Sequence, residues 1–468
     1  MSFKFSAEQV SDCHYVLSRR GEMRTDVHAW LSPALFEQTD EALWSQAARA
    51  AAYPGAIGLH LMPDTHLGYG IPVGGVLVTT DTIVQAGSGY DISCGVVYMQ
   101  VPGLHAADVA DVVQRQRWVA AVEQRVATGL GSHRPRNAPQ LKPRLLEEVL
   151  LHGARALGVS ADLCERQFIE VSTAFQPRRV PRAHDRALAQ LGSVGGGNHF
   201  IELQVDRDDG SVWVMVHCGS RGYGWQTANH FFFEGGKLRG LTKNRREESW
   251  LHADEPLGRQ YWDHHNSAAN YAVANRHLIV HGVREATQEV FGRDVAVYYE
   301  ISHNLVQQET LVLPDGTTQR GFVHRKGATR AFPAGHPDLE RTVWKTTGHP
   351  CLIPGSMLDG AAILFPLEGA YASACSVNHG SGRTMGRGHA SRELAHIHDE
   401  IDAEMRDIER VLGGVTIRGV VGNTERTPLD ECRHVYKDLD AVIEVLEREG
   451  IARLARRLYP VANLKGTD

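Results

Sequence analysis

Short apolar runs rich in β-branched residues recur along the chain, and glycine-rich turns separate them. These runs are too short for buried helices, and β-branched side chains pack well on a pleated sheet. Each run therefore predicts a buried strand. The predicted strands cover residues 95–101, 200–205, 212–216 and 295–301.

A helical period marks other segments of the chain. Asp254 and Glu255 precede Pro256, a typical helix start, and apolar residues then recur at helical spacing as far as Val290. Two further helices are predicted at 392–412 and 438–458. Strands and helices alternate irregularly, which is typical of an α+β fold.

The glycine clusters beside histidine, aspartate and cysteine come from both halves of the chain. We therefore expect a single large domain spanning residues 1–468 rather than several smaller ones. Central β-sheets would carry the chemically active residues at strand ends, and a helical insertion is expected at about 225–292.

Composition and charge limit the class of protein. The chain has 468 residues, 42% of them hydrophobic, and a formal net charge of -6, so the total charge does not indicate a nucleic-acid binder. An RNA substrate would require a local positive field. Basic segments occur at 134–144, 178–186 and 243–246, although solvated surface charge is the simplest interpretation of each one alone.

Cysteine usage and hydropathy indicate the compartment. The seven cysteines are widely spaced without a C-x-x-C motif, which argues against a disulfide framework and for a reducing environment. The N-terminal residues lack the pattern of a signal peptide, and no apolar run is long enough to span a bilayer. We predict a cytoplasmic protein without membrane association.

Five residues form a candidate metal set. Asp91 and Cys94 lie three residues apart in a glycine-rich turn, while His199, His217 and His303 each lie at the end of a predicted strand. A thiolate can bridge two metals, and mixed oxygen, nitrogen and sulfur ligands suit Mn²⁺ or Zn²⁺. With 25 histidines in the chain, any single one could simply hydrogen-bond the backbone. The glycines around all of them favour ligation, because glycine permits close approach.

The loop 378–383, NHGSGR, is a candidate site of covalent chemistry. Glycine-rich loops present backbone N–H groups to phosphates, and an arginine can contact two phosphate oxygens at once. His379 in this setting could attack a nucleotide phosphate as a nucleophile. A structural histidine in a tight turn explains the motif equally well.

Ten motifs in order, from residue 62 to the C-terminal region, resemble the RtcB family of RNA-splicing ligases. They are MPDTHLGYGIPVGG (62–75), GYDISCG (89–95), GGGNHFIEL (195–203), HCGSRG (217–222), ISHN (301–304), HRKGATRAFP (324–333), PGSM (354–357), NHGSGR (378–383), YKDLD (436–440) and LKG (464–466). The first 50 or so residues match the family less distinctively.

The resemblance implies roles for matching residues. Two manganese ions are expected, one held by Asp91, Cys94 and His199 and the other by Cys94, His217 and His303. His379 would attack the α-phosphate of GTP, and Asp64 would orient its imidazole. The residues expected to surround GTP are Asn198, Phe200, Glu202, Asn304, Pro354, Gly355, Ser356, Met357, Gly380, Ser381, Gly382, Arg383 and Lys465.

The resemblance also implies an activity. The enzyme would join RNA 3′-phosphate or 2′,3′-cyclic phosphate ends to 5′-hydroxyl ends through a histidine–GMP intermediate, in tRNA splicing or RNA repair. It would use GTP and two Mn²⁺ ions, act as a monomer and have archease as a partner. Ser381, Gly386 and Ala361 stand where family members commonly carry other residues, which leaves the nucleotide preference open.

Three alternatives belong to other functional classes. A divergent paralogue could guanylylate, and so cap, 3′-phosphate ends of RNA or DNA without joining them. A binuclear phosphoesterase would not need His379. A non-catalytic RNA-binding or scaffold protein would not need the metal ligands, and their presence as a complete set argues against it.

Overall fold

The fold is mixed α+β, as the sequence predicts. The computed structural model describes residues 2–129, 142–312 and 316–466. The strands within these ranges are β1 (Glu8–Ser11), β2 (His14–Leu17), β3 (Val27–Trp30), β4 (Ala56–His66), β5 (Val73–Thr79), β6 (Thr82–Val84), β7 (Gly95–His105), β8 (Ala127–Thr128), β9 (Ser193–Gly195), β10 (Phe200–Asp206), β11 (Ser211–Cys218), β12 (Trp250–His252), β13 (Ala296–Ser302), β14 (Asn304–Val312), β15 (Thr318–Lys326), β16 (Ala328–Arg330), β17 (Cys351–Pro354), β18 (Ala361–Pro366), β19 (Ser376–Asn378), β20 (Glu409–Leu412), β21 (Val415–Arg418), β22 (Val421–Gly422) and β23 (Ala452–Lys465).

The helices pack around these sheets. They are α1 (Pro33–Glu37), α2 (Glu41–Ala50), α3 (Val112–Glu123), α4 (Pro143–His152), α5 (Ala183–Gln190), α6 (Arg221–Leu238), α7 (Pro256–Phe291), α8 (Arg387–Glu393), α9 (His398–Asp407) and α10 (Leu439–Arg448). Two large sheets form the centre of the fold. One has the strand order β1-β2-β3-β4-β5-β15-β14, and the other has the order β13-β7-β11-β10-β23-β18-β17, with β22 beside β23.

The second sheet gathers the predicted metal ligands at one edge. Strands β13, β7, β11 and β10 are consecutive neighbours and antiparallel, so the starts of β7 and β10 lie beside the ends of β11 and β13. Gly95 pairs with Cys218 and with Ser302, and Phe200 pairs with His217. Residues that are far apart in sequence therefore meet at this edge.

The sheet strands confirm the strand predictions. Three of the predicted apolar runs lie within β7, β10 and β11, and the run 295–301 matches β13 except that the strand is shifted by one residue. The long predicted helix is also confirmed as α7, which has Pro256 in its first turn and ends before Gly292 in the left-handed conformation.

The other two helix predictions were too long. Within 392–412, α9 ends at Asp407, and residues 409–412 form β20 of a hairpin. Gly413 and Gly414, both with positive φ, make its two-residue turn. The many charged residues of the segment favoured a helix, so this turn signal was missed. Within 438–458, α10 ends at Arg448, and the chain turns at Gly450 into the final strand β23.

Helix α7 is a core element over most of its length. Tyr261 and Tyr271, in its first half, belong to one hydrophobic core, while Ile279 and Val283, in its second half, belong to another. The helix therefore connects the two cores. The extent of the domain over 1–468 and the limits of the helical insertion at 225–292 stay predictions.

Two further observations concern the molecule as a whole. None of the helices in the described ranges combines the length and apolar character needed to cross a membrane. All seven cysteines are buried thiols, and none forms a disulfide.

Candidate active site

The five predicted metal ligands converge around Cys94. Its Sγ lies 3.4 Å from Nε2 of His199 and 3.2 Å from Nε2 of His217. Nε2 of His199 is 2.9 Å from Oδ2 of Asp91, and Nε2 of His217 is 3.2 Å from Nε2 of His303. The side chains thus form two groups, each able to hold one ion, that share the Cys94 sulfur.

Backbone carbonyls orient two of the imidazoles. Nδ1 of His199 lies 2.9 Å from the carbonyl oxygen of Val194, and Nδ1 of His217 lies 3.0 Å from that of Asn198. An Nδ1–H that donates to a carbonyl leaves the lone pair of Nε2 available to a metal. In both residues Nε2 is the atom that faces Cys94.

The electrostatics of these side chains fit a bound cation. Burial holds the pKa values of His217 and His303 well below the usual range, so both imidazoles are neutral, the form that ligates metals. Loss of solvation would raise the pKa of Asp91, but hydrogen bonds with His199 and Ser220, together with the nearby charges of His199 and Arg221, outweigh this and lower the pKa to about 2. Burial raises the pKa of Cys94 to about 11, so its thiolate needs a compensating positive charge.

A third cluster, Cys164, His277 and Glu300, is close enough to hold an ion. Cys164 Sγ lies 3.3 Å from Nε2 of His277, and Arg276 forms a fully buried ion pair with Glu300. Because a guanidinium already neutralises the carboxylate, we assign no metal to this cluster.

His379 and Asp64 form a buried pair beside the metal ligands. Asp64 lies in β4, and His379 directly follows β19. Nδ1 of His379 is 2.6 Å from Oδ2 of Asp64, which also accepts the backbone N–H of His379 at 3.1 Å. The carboxylate therefore fixes the Nδ1–H tautomer and leaves Nε2 as the ring nitrogen with an available lone pair. The ring centroids of His379 and His303 are 5.0 Å apart.

Glycines allow the loop 378–383 to pack directly on its neighbours. Gly382 has φ +77°, and a Cβ there would lie 2.3 Å from the backbone oxygen of Asp64. A Cβ at Gly380 would lie 2.9 Å from the carbonyl oxygen of Pro354, and one at Gly74 would lie 2.8 Å from Oδ1 of Asp64. Larger residues at these positions would displace His379 or the carboxylate that orients it.

A cavity of about 480 Å³ opens in front of His379. Asp91, His217 and His303 reach its wall, whereas Cys94, His199 and Asp64 are not among the residues that line it. All of the residues predicted to surround GTP line this cavity, namely Asn198, Phe200, Glu202, Asn304, Pro354, Gly355, Ser356, Met357, Gly380, Ser381, Gly382, Arg383 and Lys465.

One end of the cavity combines an aromatic ring with opposite charges. Phe200 and Lys465 pair across β10 and β23, and the Lys465 ammonium lies 5.1 Å from the ring centroid of Phe200. The carboxylate of Glu202 accepts hydrogen bonds from Gln204, at 2.7 Å, and from Asn463. Burial raises the pKa of Glu202 to about 7.

Glu431 is a site residue that none of the sequence motifs includes. Its buried carboxylate contacts Arg383 at 3.2 Å, Arg387 at 2.7 Å and Lys465 at 3.0 Å, and it accepts a hydrogen bond from Tyr436 at 2.7 Å. It therefore joins the arginine beside His379 to the lysine at the other end of the cavity. No local pattern around Glu431 could have indicated this role, because its three cationic partners come from other segments of the chain.

Two buried lysines were also missed, although both lie in motifs that match the family. Lys326 donates to the carbonyl oxygen of Ile71 at 3.0 Å. Lys437 donates to the carbonyl oxygens of Pro63 and Thr65, at 3.2 and 2.8 Å, and burial lowers its pKa to about 8. Lys437 thus secures the backbone on both sides of Asp64.

Buried oxygen, nitrogen and sulfur ligands beside an oriented histidine, in a glycine-rich cavity, define an enzyme suited to metal-assisted phosphate chemistry.

The family model described as "tRNA-splicing ligase RtcB" matches residues 46–466. The chain is 35% identical, over 90% of both chains, to the tRNA-splicing ligase RtcB of Thermococcus kodakarensis. It is 32% identical to that of Archaeoglobus fulgidus over the full length of both chains. It is 33% identical to the RNA-splicing ligase RtcB of Mycobacterium tuberculosis, over 90% of this chain and all of the relative.

The chain belongs to the RtcB family, and the protein is therefore an RNA ligase by family. This confirms the resemblance carried by the ordered motifs and the prediction of an enzyme. It also argues against the phosphoesterase and scaffold alternatives.

Proposed function

We propose that the protein is a GTP- and Mn²⁺-dependent RNA ligase that joins 3′-phosphate or 2′,3′-cyclic phosphate ends to 5′-hydroxyl ends. It would act in the cytoplasm, in tRNA splicing or RNA repair. The observation that carries the proposal is the orientation of His379. Asp64 holds its Nδ1 at 2.6 Å, so Nε2 is the ring nitrogen left to react beside two groups of metal ligands.

Each of the two groups of ligands would hold one of the expected ions. Asp91, Cys94 and His199 would hold one manganese ion, and Cys94, His217 and His303 would hold the other. The mixed carboxylate, imidazole and thiolate set suits Mn²⁺ better than Mg²⁺, which prefers oxygen ligands. Bound ions would neutralise the triphosphate and polarise the attacked phosphorus.

His379 would carry the covalent step. Its Nε2 attacks the α-phosphorus of GTP, a nitrogen–phosphorus bond forms, and the bond to pyrophosphate breaks. An oxygen of the RNA 3′-phosphate then displaces His379 and takes the GMP. The 5′-hydroxyl of the second RNA end attacks the activated 3′-phosphate, and GMP leaves. Asp64 stabilises the imidazolium character that develops in the first step.

Orphaned polar atoms in the cavity support a phosphate ligand. Ser381 Oγ and Arg383 Nη2 are buried, and within the described ranges neither has a hydrogen-bond partner. Leaving such groups unpaired costs stability, so an occupant with hydrogen-bond acceptors is expected there. The oxygens of a triphosphate supply these acceptors next to His379.

The opposite end of the cavity suits guanine. Ionised Glu202 can accept from the N1–H and the exocyclic amine of guanine, Lys465 can donate to its O6, and Phe200 offers a ring face. Adenine has no donor at N1 and would leave the carboxylate unpaired. Ala361 lies buried in β18 and is not among the residues that line the cavity.

Guanylylation should depend on the ionisation of Glu202. Its pKa is raised to about 7, so the carboxylate that accepts from guanine is lost as the pH falls through 7. We expect the KM for GTP to be about tenfold higher at pH 6 than at pH 8, because a carboxyl group with a pKa of about 7 is mostly protonated at pH 6. In Glu202→Gln the KM should be on the order of 10- to 100-fold higher and should no longer change in this way with pH.

Initial rates of adduct formation over a range of GTP concentrations would measure this dependence. Glu285→Gln, on the outer face of α7, is the matched control and should keep the profile of the unchanged protein. A Glu202→Gln variant with the original KM and pH profile would contradict the assignment of Glu202 to guanine.

The joining reaction separates ligation from the capping alternative. RNA with a ³²P-labelled 3′-phosphate is incubated with a 5′-hydroxyl partner, GTP and Mn²⁺. We expect a longer strand whose junction carries the label, no reaction of 3′-hydroxyl ends, and activity that falls as salt rises. If the label becomes resistant to phosphatase without any gain in strand length, the enzyme caps 3′-phosphate ends instead.

The family resemblance supports the remaining parts of the proposal. We propose that the protein acts as a monomer and that archease increases its rate of guanylylation. Sedimentation at the concentrations used for assay, with and without archease, tests the oligomeric state directly.

A further inference from the structure

The outer face of α6 carries exposed aromatic residues. Trp225 is 47% exposed and Phe233 is 56% exposed, two turns apart on the same side of the helix. The side that faces the core is buried through Tyr223 and Phe231. Large exposed aromatic side chains on a well-packed helix indicate a binding surface.

Trp225 is continuous with the wall of the catalytic cavity. Its ring stacks on Tyr90 with centroids 5.9 Å apart and an interplanar angle of 22°. Tyr90 lines the cavity next to Asp91, and its hydroxyl donates to Glu247 at 2.7 Å, which fixes the ring. An aromatic path therefore leads from the cavity to the surface of α6.

Unpaired arginines lie in α5, which packs on α6, and in the segment just before it. Four of them, Arg178, Arg179, Arg182 and Arg186, are exposed, and none forms an ion pair within the described ranges. The stem of Arg186 contacts the first turn of α6, because a Cβ at Gly222 would lie 3.4 Å from Cβ and Cδ of Arg186. This segment is one of the three basic segments of the sequence.

The basic segment at 243–246 does not offer the same positive field. Arg245 pairs with Glu248 and Arg246 with Glu247, so the segment 243–246 is largely neutralised. Arg134 and Arg136 lie outside the described residues.

We infer that Trp225 and Arg178, Arg179, Arg182 and Arg186, here called the α6 platform, bind a single-stranded RNA end that leads into the catalytic cavity. A base would stack on Trp225, and the arginines would contact the adjoining phosphates. Stacking on an aromatic face beside unpaired positive charge is the usual way to hold single strands without regard to sequence. The inference rests on the proposed function for its ligand. A protein partner on this surface is the competing outcome, but it would not need a path into the cavity.

The test measures binding of a fluorescein-labelled single-stranded RNA 3′-phosphate to the full-length protein by anisotropy. Trp225→Ala should raise the Kd by about 5- to 150-fold, the usual effect of losing one stacking side chain. Trp225→Phe should recover most of the affinity. Arg182→Glu with Arg186→Glu should raise the Kd and reduce the salt slope by about 1.4, as expected for two lost phosphate contacts.

Controls distinguish this inference from the proposed function. Phe5→Ala, at an exposed aromatic position, and Arg448→Glu, at an exposed arginine, should bind RNA like the unchanged protein. Guanylylation of His379 should be normal in the Trp225 and arginine variants, because neither group lines the cavity. Absence of guanylylation in the unchanged protein would refute the proposed function and leave the binding test intact.

RNA affinity within twofold of the unchanged protein in both Trp225→Ala and the arginine variant would overturn the inference. If those variants instead lose only stimulation by a protein partner, the surface binds protein and not RNA. Loss of RNA binding by the control variants to the same degree would also overturn it, because the effect would not belong to the α6 platform.

Discussion

His379→Ala should form no GMP adduct, and its rate of RNA joining should fall by on the order of 10⁴-fold or more. The reason is that His379 presents to the cavity an imidazole nitrogen that a buried carboxylate orients. Intact-protein mass spectrometry after incubation with GTP and Mn²⁺ measures the adduct. The unchanged protein should gain one acid-labile GMP.

Two further variants sharpen this prediction. Asp64→Asn should still form the adduct, but about 10²- to 10⁴-fold more slowly, because the amide no longer stabilises the imidazolium. His389→Ala, ten residues further along the chain and 56% exposed at its side chain, is the matched control and should be fully guanylylated. Guanylylation of His379→Ala to the normal level would show that another residue is the nucleophile.

Cys94→Ala should lose both equivalents of manganese, and this is the second large effect that we expect. Its sulfur lies between the two groups of ligands, within 3.4 Å of His199 and 3.2 Å of His217. Cys94→Ser should retain only part of the metal, because an alcohol is a poor bridging anion at neutral pH. Elemental analysis after removal of free metal gives the stoichiometry.

A neighbouring cysteine supplies the control. Cys164 is also buried beside a histidine and a glutamate, yet Arg276 neutralises that cluster. Cys164→Ala should therefore keep two equivalents of manganese, whereas His199→Ala and His303→Ala should each keep one. Two equivalents retained by Cys94→Ala would exclude the bridging role of the cysteine.

The local sequence was sufficient to predict four strands, helix α7 and the protein family. The β-branched runs predict β7, β10, β11 and β13, because a strand buried on both faces is mostly apolar rather than alternating. The ordered motifs also name every predicted residue of the cavity wall, since each motif is a short loop whose glycines and polar residues are adjacent in sequence.

Local pattern failed where a helix is followed by a strand. The segments 392–412 and 438–458 are rich in charged residues and have helical spacing, but their second parts are β20 and the start of β23. A strand there depends on a partner: β20 pairs with β21, and β23 pairs with β10 and β18. Such pairing depends on contacts with residues far away in the sequence, which the local strand propensity does not describe.

The sequence by itself determined which residues are available for chemistry at the candidate site, and only the tertiary structure decided how they meet. Antiparallel pairing brings Cys94 to His199, His217 and His303, and the crossing of β4 by the loop after β19 brings Asp64 to His379. Glu431 and Trp225 have no local signal, because Glu431 acts through three cationic partners from other segments and Trp225 acts through its exposure. Sequence sets the kinds of side chain, whereas their distances and solvation arise from long-range packing.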